Sequence, residues 1–282
     1  LQGPGMAGML GGMALHGGVL ACGVAGMITI DRMRPALRMT ALMRRKVLYL
    51  LTNDGLALSD GGGGWQPVEQ LASLRAMPHL AVFRPASAQE TFACWQAALL
   101  WPEGPALLVL CPHEMPDPGQ STASSETGAS GFGSATHGGY VLHGARNRQV
   151  TLIASGPEVA VAVSAARLLA EQGVRAAVVS ICCWEVFARQ TEAYRATVLG
   201  DTQPDTPSAL RVGIEAASSF GWERWLGANG IFIGMDDFGI SAPANAVYER
   251  FGITAKAVCG RVMERLGVVA TEQGSAQEAD LS

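Results

Sequence analysis

No apolar segment of this 282-residue chain runs on for the roughly 18 residues that a membrane-spanning helix needs; Gly, Arg or polar residues interrupt each one. The first residues lack the positive stretch of a signal peptide, so neither export nor insertion is expected. Basic residues never cluster beyond Arg44-Arg45-Lys46, and the formal net charge is -4. The electrostatic footprint of a nucleic-acid or anionic-membrane partner is therefore missing. The six cysteines (Cys22, Cys94, Cys111, Cys182, Cys183, Cys259) include no C-x-x-C pair and no disulfide-framework spacing. That usage suits a reducing, cytoplasmic setting. The five histidines (His16, His79, His113, His137, His143) are scattered, with no ligand pair on one face. No G-x-S-x-G elbow occurs, and Ser218-Ser219 and Ser241 lie in Gly/Ala-rich surroundings that suit close packing better than nucleophilic attack.

What is present is core-forming material. Apolar residues make up 49% and charged residues 16% of the chain, enough length and hydrophobicity for two domains of ordinary size. The sharpest break is 117–139, rich in Gly, Ser and Thr and without hydrophobic periodicity, which reads as a linker. Residues 1–116 then form one domain, 140–268 a second, and 269–282 a polar tail. In the first, Met27–Asp31, Val47–Leu51, Leu80–Phe83 and Leu107–Leu110 read as buried strands, and Met33–Met43, Pro67–Leu74 and Gln89–Leu100 as helices. In the second, strands are expected at Val150–Ser155, Ala176–Ile181, Leu210–Glu215 and Ile231–Met235. Helices are expected at Glu158–Gln172, Asn245–Phe251 and Thr254–Leu266, the first opened by Pro157 and closed by a left-handed Gly173. This alternation predicts the α/β class: two three-layer α/β domains with mostly parallel sheets.

Two glycine-rich stretches invite a ligand reading. Gly3-Pro4-Gly5-Met6-Ala7-Gly8 fits G-x-G-x-x-G, with Asp31 at the end of an expected strand, but only Leu1 and Gln2 precede it. A Gly-rich helix start is the better reading. Asp60-Gly61-Gly62-Gly63-Gly64-Trp65 could cradle phosphate through backbone amides, yet lacks the Lys and Ser/Thr of a P-loop, which favours a surface loop. Composition and pattern alone thus end at a two-domain α/β protein without an identifiable active site.

Longer segments carry more. Residues 65–91, with Gln66-Pro67-Val68-Glu69-Gln70-Leu71-Ala72-Ser73-Leu74-Arg75 and Arg84-Pro85-Ala86, closely resemble the signature segment of the transketolase family. Met6 to His16-Gly17-Gly18 and Asp31 with Met33-Arg34-Pro35-Ala36-Leu37-Arg38 resemble its thiamine-pyrimidine domain. Ile153 to Val159, Glu215 to Trp222, and Ile233-Gly234-Met235-Asp236-Asp237-Phe238-Gly239 to Ser241-Ala242-Pro243-Ala244 resemble its C-terminal domain. The resemblance implies a partial pyrimidine-type domain followed by the C-terminal domain. The family's pyrophosphate domain, with its Gly-Asp-Gly and Asn motif for Mg and diphosphate, is not represented. A first strand and helix of the pyrimidine domain would precede Leu1; without them the resemblance implies an unpaired edge and exposed apolar surface. A homodimer or a pyrophosphate-domain partner subunit is expected. Starting at Leu1 also suits a processed or partial product.

The resemblance also gives a residue-by-residue test. The family's Glu, which protonates the aminopyrimidine nitrogen, corresponds to Gly3. Its three aromatic ring-wall positions correspond to Gly26, Thr29 and Arg32. Its sugar-hydroxyl and phosphate ligands, His, Asp, His and Arg, correspond to Asn53, Gly61, Trp65 and Pro112. Gly and Thr forfeit stacking area, and Pro cannot replace an Arg–phosphate contact. The expectation is a transketolase-like, catalytically degenerate protein acting as a binding or structural subunit. It would need no cofactor of its own, with thiamine diphosphate and Mg bound only if a partner completes the site. The alternative is a C-terminal subunit or fragment of a thiamine-dependent transketolase; loss of function in a partial product is a third reading. Arg32 and Trp65 are expected to project into the emptied cleft and plug it.

Overall fold

The computed structural model describes residues 3–56, 63–111, 132–144, 147–201 and 208–267. The first half runs α1 (Gly3–His16), β1 (Ala21–Gly26), α2 (Ile30–Leu42), β2 (Val47–Thr52), α3 (Gln70–Arg75), β3 (Ala81–Phe83), α4 (Ala88–Leu100) and β4 (Ala106–Val109). All its strands pair in parallel, in the order β1-β2-β4-β3. Such a sheet is buried on both faces, and β2 and β4 are accordingly apolar along their length. Tyr49, Leu51, Leu107 and Val109 pack beneath α1, α2 and α3, while Leu48, Phe83 and Leu108 face α4 and the second half.

One expected strand is corrected. Met27–Asp31 is a 3-10 turn running into α2, and the strand lies earlier, in the small residues Ala21–Gly26. Met27, Ile30, Met33, Leu37 and Ala41 are all buried; their spacing of three or four is that of a helix. Close approach explains the small strand: a Cβ on Gly23 would lie 2.5 Å from Leu10 Cδ1 of α1. Gly3, Gly5 and Gly8 all fall within α1, so the G-x-G-x-x-G match forms no phosphate-binding turn.

The second half runs β5 (Tyr140–His143), β6 (Val150–Ala154), α5 (Glu158–Glu171), β7 (Ala176–Ser180), α6 (Trp184–Ala188), α7 (Glu192–Leu199), β8 (Leu210–Ile214), α8 (Glu223–Leu226), β9 (Ile231–Ile233), α9 (Ala244–Arg250) and α10 (Ala255–Leu266). The sheet order is β5-β7-β6-β8-β9, parallel except for β5. Gly173 has φ +75° and ends α5 as expected. The strand β5 and the helices α6, α7 and α8 were not foreseen.

The two halves share one core: Leu48, Phe83 and Leu108 belong to the same buried cluster as Leu152, Val178 and Val258. Backbone bonds cross the joint, from Arg84 N to Cys182 O (2.7 Å), Gly156 N to Arg84 O (3.0 Å) and Ser218 N to Val68 O (2.9 Å). No strand pairs with the outer edge of β1 among the described residues, and Val19, Leu20 and Val24 nearby are exposed. No helix of the described residues is long and apolar enough to cross a membrane.

Candidate functional site

Parallel α/β sheets place ligands at the carboxyl ends of their strands. There β1 ends at Gly26 and β2 leads into Asn53. Four of the expected site positions meet at this point. A Cβ on Gly3 would lie 2.6 Å from Thr29 Cγ2 and 3.0 Å from Met33 Cγ; one on Gly26 would lie 3.7 Å from Thr29 Oγ1 and 4.0 Å from Asn53 Nδ2. The first turn of α1, the end of β1, the turn before α2 and the loop after β2 therefore converge. Asn53 has φ +65°, a left-handed backbone that Asn tolerates better than most residues.

The remaining positions differ. Arg32 lies in the first turn of α2 and is exposed, and Trp65 ends the 63–65 turn with 58% of its surface exposed. Gly61 and Pro112 lie outside the described residues, as does most of the expected linker. Among the described residues no group of three or more His, Cys, Asp or Glu is placed to hold a metal ion.

Behind the strand ends lies a buried charge network that sequence reading missed. Arg84, after β3, is fully buried. Its Nε donates to Asp54 Oδ2 at 2.7 Å, and its Nη1 to Ser155 O at 2.7 Å, to Ser155 Oγ at 3.2 Å and to Glu158 Oε2. Arg75 donates both arms of its guanidinium to Glu215, at 2.7 and 2.8 Å, and stacks 3.9 Å over the Trp184 ring. Glu215 also accepts from Ser155 Oγ (2.5 Å) and Trp222 Nε1 (3.0 Å), and Tyr248 OH donates to Glu158 Oε1 (2.8 Å). Burial alone would raise the Glu215 carboxyl; Arg75, Arg84 and Ser155 outweigh it and hold the pKa down to about 2. Burial raises Glu158 against the pull of Arg84. Two guanidinium groups thus face three carboxylates out of water, where each charge needs its partners.

The polar residues of the 66–75 segment have structural partners too. Gln66 Nε2 donates to Ile240 O (3.0 Å), Gln70 Nε2 to Asp31 Oδ2 (3.0 Å), and Arg34 to Ser73 O (3.3 Å) and its hydroxyl. This segment fastens α2 to α3 and the first half to the second.

Comparison with known proteins supplies the family. Residues 4–116 match the profile of the transketolase pyrimidine binding domain, and residues 138–254 that of the transketolase-like TK C-terminal domain. The chain is 46% identical over 264 residues to transketolase of Sinorhizobium medicae, covering 93% of this chain and 36% of that protein. Transketolase from Leishmania mexicana superposes with a TM-score of 0.84 at 33% identity, covering 96% of this chain and 38% of that one. A split-gene transketolase solved as an inactive beta4 tetramer matches with a TM-score of 0.74 at 23% identity, over 94% of this chain and 82% of that one, a likeness of fold alone. The chain spans little more than a third of the length of the curated relatives it matches.

Proposed function

We propose, on the premise that this chain belongs to the transketolase family, that it acts as a non-catalytic binding or structural subunit. The observation that carries this reading is the crowding at Gly3. The family resemblance puts a proton-donating Glu there, but the space its side chain would enter is taken by Thr29 Cγ2 and Met33. Loss of the acid is thus matched by a neighbour that fills its place. Gly26, Thr29 and Arg32 offer no aromatic wall for a thiamine ring, so the residues present do not fit that cofactor. Removing a general acid costs on the order of a hundredfold in rate, and removing the ring pocket with it leaves nothing for the remaining groups to act on.

A calorimetric titration of thiamine diphosphate with Mg into the purified protein tests this. No heat of binding up to millimolar ligand is the expected result; a micromolar dissociation constant would overturn the proposal.

A second reading has its own support. The loop carrying Asn53 is held at the strand ends by fully buried ion pairs, which suits a subunit that lends half a site to a pyrophosphate-domain partner. Mixing the chain with the N-terminal part of a related transketolase and assaying ketol transfer decides it. Turnover above that of either part alone supports lending, and its absence supports the non-catalytic role.

A further inference from the structure

The loop after β2 is gripped by the residues that follow two other strands of its sheet, Leu110 after β4 and Arg84 after β3. Asn53 and Gly55 both have positive φ, +65° and +80°, with Asp54 buried between them. Asn and Gly both tolerate this region, so their own preferences permit the geometry without selecting it. The Asp54 amide bonds to Leu110 O at a long 3.4 Å. Its carboxylate is held by Arg84 at 2.7 Å, the short charge-assisted bond of the loop.

Arg84 in turn is set by the second half. Its Nη1 lies on Ser155 and Glu158 at the start of α5. Gly156 has φ +57°, and a Cβ there would lie 2.8 Å from Arg84 Cζ, so the β6–α5 turn wraps the guanidinium closely. Tyr248 of α9 holds Glu158 from the far side, and its hydroxyl lies 3.6 Å from where a Gly55 Cβ would be. Among the described residues Asp54 Oδ1 and Arg84 Nη2 have no hydrogen-bond partner, so the pair is joined through one bond, not a two-pronged fork. The loop's place thus depends on where the second half puts the guanidinium.

We propose that Arg84 is a positioning residue through which the C-terminal domain sets the backbone of the Asn53 loop at the candidate cleft. Any event that shifts the β6–α5 turn or α9 is thereby felt at the strand ends of the first sheet. That Asn53 faces a ligand rests on the second reading above, in which the chain lends half a site; the mechanical coupling does not.

Amide hydrogen exchange at residues 53–56, referenced to β2 residues 48–51, tests the coupling with no ligand present. Failure here is therefore distinct from failure of the thiamine titration. Arg84→Lys keeps the charge but loses the planar set of donors, and roughly tenfold faster exchange in the loop relative to β2 is expected. Tyr248→Phe removes only the hydroxyl on Glu158 and is expected to give a smaller increase of the same kind. The control is Leu169→Ala, in the buried face of α5 away from the network, compared at equal distance below its own melting temperature. Loop exchange unchanged in Leu169→Ala and raised in both network variants upholds the proposal. Equal loosening in all three, or none in Tyr248→Phe, overturns it. Should Arg84→Lys not fold, Tyr248→Phe against Leu169→Ala decides alone.

Discussion

Thr29 stands in the space that a side chain on Gly3 would have to enter: Thr29 Cγ2 lies 2.6 Å from the position of a Cβ there, well inside van der Waals contact. The two positions are therefore coupled. Gly3→Glu alone is expected to destabilise the protein by about 1–3 kcal/mol through overpacking. Adding Thr29→Ala removes the obstructing methyl and should recover most of that loss. Urea unfolding of the two single variants and the double variant gives the interaction energy as a cycle. Additive effects would show that Thr29 does not exclude the side chain.

Acid should loosen the joint between the halves through Glu215. Its folded pKa of about 2 lies below the ordinary 4.5. Its contribution is thus fully present above about pH 4.5 and is lost as pH falls toward 2. The shift corresponds to about 3 kcal/mol. Thermal unfolding between pH 6 and pH 3 should show a steepening loss of stability below pH 4.5, which Glu215→Gln, already destabilised at pH 6, should lack. The same slope in both proteins would assign the acid sensitivity elsewhere.

The outer edge of β1 predicts self-association. Residues 17–30 carry no charged side chain, and Val19 and Leu20 just before β1 and Val24 within it are exposed beside a strand that pairs, among the described residues, on one side only. Edges left open in monomers are normally guarded by charge, Pro or a bulge. Sedimentation velocity is expected to show concentration-dependent oligomers that Val24→Lys weakens by at least tenfold. A monomer at all concentrations would mean the edge is tolerated bare.

Legibility of the sequence divides along a physical line. Val47–Thr52, Ala106–Val109 and Val150–Ala154 could be read directly because strands buried on both faces are continuous apolar runs. Ala21–Gly26 could not, since its side chains are short and mostly unburied, and it is set by the close approach of Gly23 to Leu10 and Met6. The signal that would have corrected Met27–Asp31 was present: Met27, Ile30, Met33 and Leu37 repeat at helical spacing. Tyr140–His143 is four residues long beside a Gly/Ser/Thr-rich stretch, too little to show a period. At the site, Gly3, Gly26, Thr29 and Asn53 were found through family resemblance, and their convergence needed coordinates. Arg84 with Asp54 and Glu158, and Arg75 with Glu215, join residues 30 to 140 positions apart, and no local pattern announces such pairs.

The charges of that network are divided unevenly along the chain. Arg75 and Arg84 with Asp54 belong to the first half, and Glu158 and Glu215 to the second. A chain severed between residues 111 and 132 would therefore yield one piece with a surplus guanidinium and another with two bare carboxylates. Each would carry into water a charge imbalance opposite in sign to the other's. Reassembly of the two pieces would be drawn by opposite charge at long range and slowed by added salt, so the join between the halves behaves as a built-in affinity tag of each for the other.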